Sequence, residues 1–200
     1  MSDAPVMGGE AGAVSGAPKR YTRVAVVLHW LIAVLILANV VAGLSVDSLP
    51  DAWVRPVIDT HKSIGLTVLG LIVLRILWRI GHAPPPLPVV YPRWERLAAH
   101  VVHAVLYLVI LALPITGWMH DSAWKAAAAN PLRWFNIFTV PRIAAIEHLD
   151  PVTKESMHGL FGDFHTWSGY ALYALLALHI AAAFKHQFID KQAEIQRMGL

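Results

Sequence analysis

The chain has 200 residues, of which 56% are hydrophobic and only 14% charged, with a mean hydropathy of +0.53. Soluble domains carry about 25% charged residues, so the composition excludes an ordinary globular class and points to an integral membrane protein. There is no cysteine, which excludes thiolate-held metal clusters, disulfides and C-x-x-C-H attachment of a cofactor. The net charge of +3 comes from basic residues beside apolar runs, a topological pattern rather than a nucleic-acid footprint.

In chain order, residues 1–18 are rich in Gly and Ala without an apolar run and read as a flexible tail. Lys19, Arg20 and Arg23 precede a first span over about 24–44, longer than a signal-peptide core, which carries His29. A short connection with Asp47, Asp51, Arg55 and Asp59 leads to a second span over about 61–80, with His61, Gly65, Gly70, Arg75 and Arg79. The five prolines within Ala83–Pro92 predict an extended connection. A third span over about 97–119 holds His100 and His103 at its start and Pro114, expected to kink it, followed by Gly117. The long connection from about 120 to 163 is aromatic (Trp124, Trp134, Phe135, Phe138) and is expected to lie along a membrane interface. Within it, Asp150-Pro151 reads as the start of a short helix leading into a fourth span over about 164–186. That span carries His165, His179 and the small residues Ala171, Ala174 and Ala177. The expected architecture is all-α, an integral membrane four-helix bundle formed by residues 19–190, with 191–200 as a cytoplasmic tail. Basic residues flank the first span's start, the second-to-third connection (Arg79, Arg93, Arg96) and the fourth span's end (Lys185, Lys191, Arg197), which predicts both termini on the cytoplasmic side.

Four histidines match in depth. His29 lies six residues after Arg23, and His179 six residues before Lys185; His61 follows Asp59 by two residues, as His165 follows Asp163. His165 and His179 are 14 residues apart, about 21 Å along one helix and within roughly 40° of the same face. The pairs are therefore His29 with His179 at the inner depth and His61 with His165 at the outer depth. One such histidine reads as readily as an interhelical hydrogen bond, but four matched pairwise suit axial ligation of two haem irons across a membrane. Arg75, 14 residues after His61, falls at the inner depth, where a haem propionate would partner it. Gly65, Gly70 and the three alanines would let a macrocycle approach the backbone. His100 and His103 read as core or interface residues. His158 is a poorer outer ligand than His165, being roughly 31 Å from His179 by helical rise. His82, His120, His148 and His186 read as exposed.

With this layout the chain resembles the bacterial cytochrome b561 family. The matching segments are Arg20-Tyr-Thr-Arg with Leu28-His29-Trp30, His61-Lys-Ser-Ile-Gly65 with Leu74-Arg75-Ile-Leu-Trp-Arg79, and His103-Ala-Val-Leu-Tyr107. They continue with Leu113-Pro-Ile-Thr-Gly-Trp118, His165 with Leu178-His179-Ile-Ala-Ala-Ala, and Lys185-His-Gln-Phe-Ile-Asp190. The resemblance implies two non-covalent haem b groups held by the same four histidines and electron transfer across the bacterial inner membrane. It also implies quinone or a redox protein as partner, and superoxide as an outer donor in some relatives. Thr166 stands where many relatives have Glu. Two other functions are compatible with the residues: a membrane anchor relaying electrons from a separate dehydrogenase, and a haem-free transporter using ionisable histidines. If superoxide is the donor, Lys62, Lys125 or Arg133 would steer the anion.

Overall fold

A computed structural model describes residues 20–88 and 90–199. The tail expected over 1–18, with Lys19, lies outside the described residues.

Four long helices carry the fold: α1 (Arg23–Ser45), α2 (Asp51–Gly81), α3 (Arg93–Ser122) and α5 (Pro151–Phe184), with the short α4 (Ala144–Glu147) before α5 and α6 (Glu194–Arg197) after it. All four long helices are long and apolar enough to cross a membrane. Their starts follow local chemistry. The Thr22 hydroxyl accepts from the Ala25 N–H at 3.3 Å and caps α1, while one Asp150 carboxylate oxygen accepts from the Val152 and Thr153 N–H groups, both at 3.1 Å. Pro151 fills the first helical position of α5, where no N–H is needed. α2 and α3 each follow a proline, Pro50 and Pro92.

Two of these helices outrun the apolar spans. α2 begins ten residues before His61, and α5 begins at Pro151 and runs unbroken through His165. Hydropathy marks only the segment that lipid must cover, whereas helical hydrogen bonding continues into polar sequence. The stretch before span four is therefore the first turns of α5 rather than a separate short helix.

α1 packs on α2, α2 on α3 and α3 on α5; α5 makes at most slight backbone contact with α1 or α2. The core is a seam of Ile32, Ile36, Val68, Ile72, Leu106, Val109 and Leu172. The fourth side, between α5 and the α1/α2 pair, is a slot in backbone terms only, with Leu172 of α5 in one buried cluster with Ile32 and Val68.

The fold is all-α as expected, with one short hairpin in a connection. In the connection, Arg133–Trp134 (β1) and Phe138–Thr139 (β2) pair as an antiparallel hairpin. Phe135 and Asn136 hold positive φ of 44° and 60° near its tip; Asn tolerates that region and Phe does not favour it. Ser63, buried in α2, anchors the turn, its hydroxyl accepting from the Phe135 N–H at 3.0 Å.

Both described chain ends lie at one end of the bundle, hereafter the terminal end. The Tyr21 N–H donates to the Arg197 carbonyl at 3.2 Å, and the Trp30 indole N–H to the Met198 carbonyl at 2.8 Å. Arg197, only 5% exposed, also grips the Pro85 and Pro86 carbonyls at 3.2 and 2.7 Å. Hydrogen bonds from Lys185 and then His186 hold the Asp190 carboxyl below its usual range. His186 is thus part of this network and not exposed, as its place in the sequence suggested.

Candidate functional site

The slot brings the depth-matched histidines face to face. The rings of His29 (α1) and His179 (α5) have centroids 6.2 Å apart at the terminal end. Those of His61 (α2) and His165 (α5) are 6.0 Å apart at the opposite, distal end. A metal–imidazole bond of about 2 Å on each side, plus a ring radius of about 1.1 Å, would set two axial rings about 6 Å apart. Each pair bridges two helices that otherwise hardly touch, so the donor set and spacing fit a haem at either depth.

The distal rings are oriented by the backbone. The His61 Nδ1–H donates to the Asn39 carbonyl at 3.1 Å, and the His165 Nδ1–H to the Leu113 carbonyl at 2.9 Å. Carbonyls only accept, so Nδ1 carries the hydrogen and the Nε2 lone pair is left free to ligate a metal. Four residues beyond each carbonyl stands a glycine on which the ring lies. A Cβ at Gly43 would be 3.2 Å from His61 Cε1, and one at Gly117 would be 3.1 Å from His165 Cε1. These two cradles were not read from the sequence, which singled out Gly65, Gly70 and three alanines of α5 for the approach of a macrocycle. Gly65 faces Asn39 at an ordinary 3.7 Å, and Gly70 has nothing within 4 Å. A carbonyl at i with glycine at i+4, repeated opposite each histidine, is the signal that was available. Asn39 adds a further mark, since its Oδ1 is buried without a hydrogen-bond partner.

At the terminal end, Arg75 donates to the Tyr107 hydroxyl and to the Ala25 carbonyl, both at 2.9 Å. It shares a cleft of about 390 Å³ with Arg20 and Arg79, and no carboxylate lines that cleft among the described residues. Arg79 lies over the Tyr107 ring at 5.4 Å. Three guanidinium groups without an acid form a site for an anion.

Other expectations fare differently. His103 comes within 5.2 Å of His179, nearer than the 6.2 Å of His29, and packs edge-on against the same ring. His100, His82 and His148 are exposed. His120 is half-buried and stacked on His158, not exposed. Lys62 is no free steering charge. It binds the buried Asp121 at 2.6 Å, and Asp121 also takes Arg142 at 2.9 Å.

A model of the prokaryotic cytochrome b561 family matches residues 20–199. The chain belongs to this family. It is 32% identical to cytochrome b561 homolog 2 of Escherichia coli (strain K12), over 92% of this chain and 93% of that one. It is 28% identical to the probable superoxide oxidase CybB of Yersinia pestis, over 90% and 96% respectively. As a cytochrome b561, the protein is a multi-pass bacterial membrane cytochrome of the b type that takes part in electron transfer.

The glycine cradles make a direct prediction for this cytochrome. Gly117→Ala is expected to push the His165 ring by a few tenths of an ångström and to lower haem retention or shift one midpoint potential. Gly65→Ala, whose Cβ would meet Asn39 at an ordinary 3.7 Å, leaves the His165 ring where it is. Haem content and redox titration of the two variants check this.

Proposed function

We propose that the protein is a di-haem conduit carrying electrons across the bacterial inner membrane, with both termini cytoplasmic. The observation that carries this is the pair of cross-helix imidazole contacts at 6.2 and 6.0 Å, one at each depth of the slot. Haem, when bound, supplies a one-electron iron couple. His29 and His179 would hold the inner iron, and His61 and His165 the outer one. The carbonyls of Asn39 and Leu113 fix the outer rings in the ligating tautomer and raise their basicity. Two imidazoles for each iron would favour outer-sphere electron transfer over binding of oxygen at the metal. Arg75, with Arg20 and Arg79 beside it, neutralises the propionates at the inner site. Quinone or a redox protein is the exchange partner.

Arg75→Gln is expected to lower the inner potential, because a lost cation disfavours the reduced state, with the outer potential unmoved; a spectroscopic redox titration reads both. The conduit itself is tested in sealed proteoliposomes of defined orientation. A membrane-impermeant reductant outside should reduce an acceptor enclosed within, and failure with fully haem-loaded protein contradicts the proposal. Superoxide is an outer donor worth testing because of the Yersinia relative's name. Lys62 shares Asp121 with Arg142, whereas Lys125 is 78% exposed, so if Lys125 steers the anion the rate should fall as ionic strength rises, and Lys125→Gln should weaken that fall.

A further inference from the structure

A second histidine pair, unused by the four-ligand set, closes the distal end of α3 and α5. The rings of His120 and His158 stack with centroids 3.8 Å apart and planes within 17°. Each donates its Nδ1–H to the other's backbone carbonyl, His120 to His158 at 2.8 Å and His158 to His120 at 2.9 Å. The His120 carbonyl lies in the last turn of α3, where helical partners run out, so part of this arrangement is a helix staple. Its chemistry goes further. With both Nδ1 hydrogens committed, each neutral ring keeps its Nε2 lone pair free. Room for the stack exists only because residue 162 is glycine, where a Cβ would meet His120 Cε1 at 3.0 Å.

The position is as particular as the geometry. His158 precedes His165 by seven residues, two turns on nearly the same face and about 10 Å along the axis. His120 lies one turn beyond Gly117, on which the His165 ring rests. We propose that His120 and His158 form a one-proton acceptor at the outer end of the bundle, coupled electrostatically to the redox centre held by His61 and His165. This rests on the ligand assignment above.

A first proton on either Nε2 gives a cation stacked on a neutral ring; a second would set two cations 3.8 Å apart, so the pair holds one. The facing charged and titratable groups are His165 on α5, Asp121 on α3, and Lys62 of α2 and Arg142 of the connection, which both bind Asp121. When the outer site gains one electron from its donor, an Nε2 lone pair takes one proton from outer water and forms an N–H bond; oxidation returns both. A cation favours the reduced state, so the outer midpoint is highest while the pair is protonated and falls as pH rises through its titration. A unit charge at about 10 Å moves the redox equilibrium roughly tenfold, about 59 mV for one electron.

The test is a spectroscopic redox titration of the detergent-purified holoprotein between about pH 5 and pH 8. Wild type should show one midpoint falling with pH and one unaffected. His120→Gln and His158→Gln, with haem content retained, should flatten the slope, and Gly162→Ala, which keeps both imidazoles but displaces one, should weaken it. A flat wild-type midpoint, or a slope that survives in both glutamine variants, overturns the proposal. Failure of the wild type to bind haem would instead sink the ligand assignment. The pair is then read by nitrogen NMR of histidine-labelled protein, where uptake of one proton by the two rings supports it and uptake of none or two overturns it.

Discussion

His165→Ala should remove about half of the low-spin b-type absorbance, and His61→Ala should remove the same half. His29→Ala and His179→Ala should each remove the other. The expectation follows from two rings per iron: loss of either partner would leave the same iron one ligand short, so defects pair across helices and not along them. His165 and His179 share α5, yet their variants should lose different haems. The ring pairs at 6.0 and 6.2 Å set this grouping. His103→Ala is the control. Its ring lies 5.2 Å from His179, so it should alter the inner spectrum slightly and retain both haems. Resolved spectra of the five variants check the assignment, and a defect in His103→Ala matching that of His179→Ala would move the inner ligand from His29 to His103.

Asp121→Ala should destabilise the protein by about 3–5 kcal/mol, the cost of stranding a buried cation. The carboxylate is 4% exposed and joins Lys62 at 2.6 Å to Arg142 at 2.9 Å. Arg142, 6% exposed, also donates to the Ala127 and Asn130 carbonyls at 2.8 and 2.6 Å. Removing the acid leaves a guanidinium with carbonyl partners but no counter-charge, and it frees the connection from the end of α3. Because Lys62 neighbours His61, outer haem retention should fall with stability. Thermal unfolding in detergent, alongside haem content, measures both, and Arg142→Lys should recover only part of the loss because a lysine cannot span all three acceptors.

The bundle and its histidines were legible because both are one-dimensional signals. Apolar runs give spans, and distance in residues from flanking charges gives depth, which sufficed to match His29 with His179 and His61 with His165. What escaped needed partners distant in sequence. Gly43 and Gly117 matter only because imidazoles from other helices lie on them. Asp121 carries no signal of its own in the sequence, and only the fold brings Lys62 and Arg142 to it. The Phe135–Asn136 hairpin carries no conventional glycine signal, and its anchor, Ser63, comes from α2. His120 and His158, read separately, looked like a surface residue and a spare ligand; only the packing of α3 on α5 makes them a pair.

The most direct measurement is haem per chain on purified protein, by pyridine haemochrome against protein mass, with a reduced-minus-oxidised spectrum. The account predicts two low-spin b-type haems per chain. One haem per chain in well-folded, haem-replete protein would contradict it, since one of the two facing histidine pairs would then hold no iron.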